Sequence, residues 1–342
     1  MRFSMQRAIG AGVVFVLSLL VAPAIAGPAS SVVRAQRSGV LHGSVTVANT
    51  QRVILERHAG RIGDPEDAEN DGATRYRIAS LTKLVTQLAA LELVERGRLD
   101  LDAPVSSYRP DLEAPWKDRV TIRHLLAMTS GLPRELHPTP QRGVEYDERG
   151  LAGGYLDRHA GVPLRGEPGE TRAYSNLGYW LVGAVIESVT GESFVDAVNR
   201  LVLEPLGVEP VALSPDALGL EHEAAGHAMQ GGDPVRVPDM PIAQRYASGG
   251  LCATIGQLRA VALATLDDRL LEDNARELLF SRFGTDDPEG RLMIAGMVPG
   301  FMNLLMVDRE AGVAVVSLNN RIAEDPNAFM ATIRAVLDEA CE

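Results

Sequence analysis

The sequence predicts a mixed α/β (α+β) fold: a mostly antiparallel sheet built from both chain ends and flanked by helices, plus an all-helical lobe inserted between. Three observations predict it. The alternating stretches His42 to Ala48 and Arg52 to His58 open the folded part. Phe301 to Asp308 and Val313 to Asn319 alternate again around the turn Arg309 to Gly312. Between these pairs, apolar residues recur at helical spacing in short pieces broken by proline. Period two marks strands and a period near 3.6 marks helices, so strands first and last share one sheet.

Taken in order, residues 1–26 read as an export signal. Arg2 and Arg7 give a short positive region, Ala8 to Val21 is apolar, and Ala24-Ile25-Ala26 before Gly27 is an A-x-A cleavage pattern. The competing reading is an uncleaved anchor, because the apolar run nearly reaches the roughly 17 to 20 residues that span a bilayer. Gly10, Gly12, Ser18 and Pro23 interrupt that run and favour cleavage. Export places the protein in the periplasm or outside the cell. Residues 27–40 are small and polar and read as a flexible lead-in. Asn49-Thr50-Gln51 joins the first two strands, and Asp64 to Gly72 is an acidic surface loop. A helix begins near Ser80, with Leu84, Leu88, Leu91 and Val94 on its buried face.

From Leu99 onward, eight prolines between Pro104 and Pro168 exclude long helices and strands, leaving pieces such as Thr121 to Thr129. Leu177 to Thr190 and Ser193 to Val202 restore helical spacing. Leu251 to Leu266, after Gly249-Gly250, reads as another helix, and a last one runs from about Pro326 to Ala340. The sheet domain is therefore expected over 41–98 and 246–342, with the helical, loop-rich lobe over 99–245.

Charge narrows the class of partner. A formal net charge of −12 argues against nucleic acid and against an anionic membrane surface. Cys252 and Cys341 could pair in an oxidising compartment or serve as small apolar residues; their separation decides nothing.

Chemistry concentrates at Ser80-Leu81-Thr82-Lys83. Ser80 and Lys83 fall three apart on the first turn of a helix, so an amine reaches a hydroxyl. The helix N-terminus offers a backbone N–H and positive dipole end to an oxyanion forming there. Only two of the 33 basic residues, Lys83 and Lys117, are lysines. Arginine stays protonated at any ordinary pH, whereas a desolvated lysine can act as a neutral base, so Lys83 is the type that Ser-Lys acyl transfer requires. Alone, the pattern also fits a surface lysine beside a capping serine. Tyr174-Ser175-Asn176 ends a turn-rich approach, Pro168 to Ala173, at the start of the Leu177 helix. Alone, it fits a packed tyrosine with a capping asparagine.

Together with the segments Thr121 to Pro133, Glu167 to Glu187 and Ala247 to Thr254, these motifs resemble the serine β-lactamase-like family. That family includes class C β-lactamases, D-Ala-D-Ala carboxypeptidases, D-stereospecific aminopeptidases and β-lactamase-fold esterases. The resemblance runs from about Leu41 to the C-terminus. It implies a β-lactamase/transpeptidase-like fold with the site in the cleft between sheet and helical lobe. It implies Ser80 as nucleophile, Lys83 as neutral base or relay, and Tyr174 as proton shuttle to the leaving group. Asn176 would bond substrate or Lys83. A lysine beside a tyrosine shifts both toward the states this chemistry needs.

The third family motif departs. Relatives carry Lys or His, any residue, then Gly before P-G-F, and here Ile294 stands where the cation belongs, before Pro299-Gly300-Phe301. Gly296 is kept, so backbone can approach closely, and the Met297 N–H could pair with that of Ser80 as an oxyanion hole. Three readings follow: an esterase-like site for neutral esters; a D-Ala peptidase or β-lactam-reactive protein whose carboxylate meets a nearby arginine such as Arg291; or a catalytically impaired binding or regulatory protein. The expected partner is a small-molecule ester, amide or peptide substrate, with no cofactor and no metal. His222 to His227 resembles H-E-x-x-H with one residue too many and reads as a solvated loop. Gly191 to Val195 lacks the second glycine of a nucleophile elbow, and His124 reads as a packed histidine.

Overall fold

The computed structural model describes residues 27–63, 67–135, 156, 161–213, 222–238, 246–283, 287 and 289–342; residues 1–26, read above as an export signal, lie outside them. Helix α1 (Pro28–Arg37) occupies the stretch read as a flexible lead-in, and this corrects that expectation. Ten residues are too few to hold a helix unaided. Val32 and Ala35 are buried, and Ser31 Oγ donates to Glu339 Oε1 of the C-terminal helix at 2.5 Å, so packing supplies what the local sequence lacks. Strands β1 (Gly43–Asn49) and β2 (Val53–His58) form a hairpin. The short β3 (Tyr76–Arg77) leads into a 3₁₀ turn, Ala79–Leu81, and helix α2 (Thr82–Glu95).

The inserted stretch carries α3 (Ile122–Leu126), α4 (Asn176–Thr190) and α5 (Phe194–Val198). It also carries three short strands, β4 (Ala212–Leu213), β5 (His227–Gln230) and β6 (Asp233–Arg236). The chain continues through α6 (Tyr246–Gly249), β7 (Leu251–Ala253), α7 (Ile255–Leu263) and α8 (Asp273–Leu278). It closes with β8 (Leu292–Val298), β9 (Phe301–Asp308), β10 (Val313–Asn319) and α9 (Pro326–Cys341).

The main sheet runs β2-β1-β10-β9-β8, with every neighbouring pair antiparallel, so the two ends of the chain meet where β1 pairs β10. Alternation decides its packing. Val45, Val47, Leu304, Met306, Val313 and Val315 face a cluster completed by α1 and α9 through Val32, Phe329, Ile333 and Val336. Leu305, Val307, Ala314, Val316 and Leu318, one residue out of phase, join the larger core with α2, α4 and α7. Both faces are covered, so β9 and β10 are buried along almost their whole length, with Asn303, Ser317 and Asn319 as buried polar residues within them. Each fully buried Val or Leu contributes roughly 1.5–3 kcal/mol.

Leu251 to Ala253, read as the start of a helix, is instead a strand paired on both sides, to β3 through Cys252 and to β4 through Leu251. The helix begins after it, where Thr254 accepts from Gln257 N and Gln257 bonds back to the Thr254 backbone. Among the described residues, no helix is long and apolar enough to cross a membrane. Cys252 and Cys341 are not joined in a disulfide.

Candidate active site

The turn between β3 and α2 positions Ser80. Ala79 adopts φ +49°, a left-handed conformation that costs a non-glycine residue roughly 1 kcal/mol or more. It reverses the chain abruptly, so Ser80 arrives at the N-terminal end of α2, half-buried, with Lys83 one turn along and 2 % exposed. Lys83 Nζ lies 3.2 Å from Ser80 Oγ. On the far side of Ser80, its oxygen is 2.7 Å from the Tyr174 hydroxyl.

Two further acceptors fix the amine. Lys83 Nζ donates to Asn176 Oδ1 at 2.8 Å and to the Ser248 carbonyl at 2.6 Å. Neither oxygen can donate, so both take N–H protons, and the third direction points at Ser80. A protonated Lys83 would donate its third N–H to Ser80 Oγ, whereas a neutral amine, with two N–H bonds and one lone pair, would accept from the serine hydroxyl along the same 3.2 Å line. Helix α6 presents the Ser248 carbonyl because it is tied to α2: Thr86 Oγ1 donates to the Ala247 carbonyl at 2.8 Å, and Leu251 N donates to Thr82 Oγ1 at 3.3 Å. Trp180 Nε1 holds the Ser248 hydroxyl at 3.1 Å.

Tyr174 and Asn176 come from the start of α4, where Ser175 caps the helix by accepting from Gly178 N at 3.0 Å. Lys83 Nζ sits 4.9 Å from the Tyr174 ring centroid and 5.4 Å from that of Tyr179. Burial pushes the Tyr179 phenol above its ordinary value, so it stays neutral, donating to the Leu126 carbonyl at 3.0 Å and accepting from Gln87 Nε2 at 2.6 Å. The loop after α3 closes this wall. The Arg134 carbonyl accepts from Asn176 N at 2.9 Å, its guanidinium lies 4.9 Å from the Tyr174 centroid, and Glu135 Oε1 accepts from Asn176 Nδ2.

Strand β8 forms the opposite wall. A Cβ at Gly296 would sit 2.5 Å from the Ile78 carbonyl, 2.6 Å from Leu81 Cδ1 and 3.3 Å from Ser80 N, so only glycine lets the strand come this close to the Ser80 turn. Met297 follows with its side chain turned outward, 51 % exposed. Ile294 is 8 % exposed and belongs to the apolar core that α2 shares.

Arg291 does not serve the cleft. It bonds Asp308 at 2.9 Å, Glu289 at 2.6 Å and Asp338 at 2.7 Å, at the end of β8 remote from Gly296. The stretch His222 to His227 is not a solvated loop either. Glu223 lies 3.4 Å from buried Arg77, Ala224 is buried, and a Cβ on Gly226 would strike the Phe301 ring at 2.7 Å. It wedges the strand leading to Ser80 against the β8–β9 turn. Among the described residues, no group of three His, Cys, Asp or Glu side chains could hold a metal ion. His124 accepts from Thr121 N through Nδ1 at 3.2 Å, completing a capping box for α3.

The structure thus brings Ser80, Lys83, Tyr174 and Asn176 into one hydrogen-bonded cluster and sets Gly296 against it. Sequence reasoning missed Ser248, whose backbone oxygen carries no side-chain signature, and Glu135, which lies 41 positions from its partner Asn176.

Known proteins place this geometry in a lineage. Protein flp of Staphylococcus aureus is 30% identical over 203 residues, which are 58% of this chain and 40% of that protein. Esterase EstB of Burkholderia gladioli is 35% identical over 224 residues, 60% of this chain and 56% of the esterase. The chain thus spans about half the length of these curated relatives, or less. A penicillin-binding protein from Bacillus halodurans superposes with a TM-score of 0.76 at 24% identity, over 89% of this chain and 98% of that one, a likeness of fold. The model of the family described as Beta-lactamase matches residues 29–335, spanning both walls of the cleft and the sheet behind it, and the chain belongs to that family.

Proposed function

We propose that this chain is an exported serine hydrolase that forms an acyl-enzyme on Ser80 and acts on esters or amides, with small neutral esters as the preferred class. The observation that carries this reading is Lys83, which spends its N–H bonds on two pure acceptors and aims its third direction at Ser80 Oγ 3.2 Å away. Neutral Lys83 takes the Ser80 proton as Oγ bonds to the substrate carbonyl carbon, and that carbonyl becomes an oxyanion. The N–H groups of Ser80 and Met297 are its natural donors. The tetrahedral centre collapses as Tyr174, 2.7 Å from Ser80 Oγ, passes a proton to the departing oxygen or nitrogen. Water then attacks the acyl-enzyme by the reverse relay, giving the acid and free Ser80.

The preference for neutral esters rests on the β8 wall, where Ile294 is apolar and buried and Arg291 is spent on three carboxylates. The name of EstB, a relative at 35% identity, agrees with an ester substrate. One observation favours a second reading, reactivity toward β-lactams or D-Ala peptides: the Arg134 guanidinium beside Tyr174, although 3.9 Å from Glu135 Oε1, is 69% exposed and can offer a further carboxylate its charge. Export rests on residues 1–26.

Short p-nitrophenyl esters and radiolabelled penicillin separate the two. Ester turnover that disappears in Ser80→Ala, with little penicillin adduct, is the expected result. Rapid penicilloylation of Ser80 with slow ester turnover would move the assignment to the second reading, and ester hydrolysis undiminished in Ser80→Ala would sink both.

A further inference from the structure

One carboxylate in the cleft has no part in the relay described above. Glu135, on the loop after α3, accepts from Asn176 Nδ2, while Asn176 Oδ1 accepts from Lys83 Nζ at 2.8 Å. The two ends of an amide differ only in that one accepts and the other donates, and rotation by 180° exchanges them. Lysine nitrogen flanks one end and a carboxylate, which can only accept, flanks the other. We infer that Glu135 is a positioning residue: its carboxylate locks the Asn176 amide with Oδ1 toward Lys83 and so keeps the lysine lone pair on Ser80.

The consequence of losing the lock is specific. A rotated Asn176 would present its N–H to Lys83 and donate to the lone pair that must receive the Ser80 proton. The amine would then be occupied by the wrong hydrogen bond, 2.8 Å away, with the fold unchanged. Arg134 adds the second half of the device. Its carbonyl accepts from Asn176 N at 2.9 Å, which anchors the loop that carries Glu135 to the residue that Glu135 orients. The Glu135 side chain is 35% exposed, so this is a lock at the cleft mouth rather than a core contact.

The charge of Glu135 has a separate, opposite effect. Tyr174 and Tyr179 present their rings to Lys83, Arg172 acts on Tyr179, Arg134 lies over the Tyr174 ring, and Glu135, bonded to Asn176, sits 3.9 Å from the Arg134 guanidinium. Tyr246 of α6 is buried against Phe194, and β8 offers only apolar side chains. A carboxylate favours the protonated amine, so removing its charge lets Lys83 lose its proton at lower pH. Hydrogen bond and charge therefore separate by substitution: Glu135→Gln keeps an acceptor oxygen and loses the charge, whereas Glu135→Ala loses both.

This inference rests on Lys83 acting as the base. The test is the rate at which a fluorophosphonate labels Ser80 across pH in the full chain and the two variants, with thermal midpoints recorded alongside. Glu135→Ala should lower the plateau rate roughly ten- to a hundredfold, the scale of a misplaced catalytic group. Glu135→Gln should recover most of it, and both variants should move the acid limb to lower pH. Unchanged rate and limb in Glu135→Ala, or equal plateau losses in both variants, overturns the inference while Lys83 as base stands. A wild-type protein that is not labelled at Ser80 overturns the two together.

Discussion

On one side of Ser80 the ends of α2 and α4 meet as packed polar side chains; on the other, β8 brings backbone and apolar groups. The polar wall holds Lys83, Tyr174, Asn176, Glu135 and the Ser248 carbonyl in a continuous hydrogen-bonded chain. The β8 wall holds Gly296 within a Cβ of the Ser80 turn and buries Ile294 beneath it. The difference separates two tasks. Moving a proton requires titratable groups fixed in place, which only side chains supply, whereas receiving an oxyanion requires N–H groups brought close, which backbone supplies irrespective of the neighbouring side chain. On the proposed reading, a site can therefore lack the cation of the third motif and keep the parts that acyl transfer needs.

The largest effect is expected from closing the gap on the β8 side. In Gly296→Ala the new methyl meets the Ile78 carbonyl at 2.5 Å and must displace the strand. A shift of that size costs on the order of a hundredfold in acylation, and the overpacking costs about 1–3 kcal/mol of stability. Ester hydrolysis and urea unfolding read the two separately, and wild-type rates in this variant would mean that β8 takes no part in the reaction. Ile294→His tests the same wall with less damage. It returns the imidazole of relatives to a nearly buried position, so penicillin labelling of Ser80 should rise while turnover of neutral esters changes little. No rise would place the limit on carboxylate-bearing substrates elsewhere in the cleft.

A smaller effect probes α3, the helix ahead of the loop that carries Glu135 to the polar wall. Burial, foremost, holds the His124 imidazole below its ordinary value of 6.5, with Asp102 opposing and Arg123 assisting. Its Nδ1 accepts from Thr121 N, which requires the unprotonated nitrogen. A depressed histidine contributes stability that is fully present above 6.5 and is lost as pH falls through the folded value. The urea midpoint should therefore drop between neutrality and pH 5, and His124→Gln should flatten that slope. An equal slope in the variant would assign the acid sensitivity to another group.

Much of the polar wall is legible in the sequence, because its chemistry lies in side chains at short fixed spacings: Ser80 with Lys83, and Tyr174 with Asn176. Ser248 escapes for the converse reason, since it contributes a carbonyl that every residue possesses. Glu135 escapes because its meaning depends on the tertiary meeting of the loop after α3 with the start of α4. The same division runs through the fold. The strands near the two chain ends, β1, β2, β9 and β10, are legible in the sequence, whereas Leu251 to Ala253 is too short for its period to be told from a helix. Helix α1 is helical only because α9 covers Val32 and Ala35, a contact that the small, polar composition of residues 27–40 does not reveal.

The central claim, that Ser80 is a nucleophile activated by Lys83, is tested most directly by mass mapping after exposure to a fluorophosphonate. A single adduct on the peptide carrying Ser80, lost in Ser80→Ala and slowed by about a hundredfold or more in Lys83→Arg, is the predicted result, because arginine keeps its charge and cannot take the proton. An adduct of equal yield in Ser80→Ala, or undiminished labelling in Lys83→Arg, would contradict it.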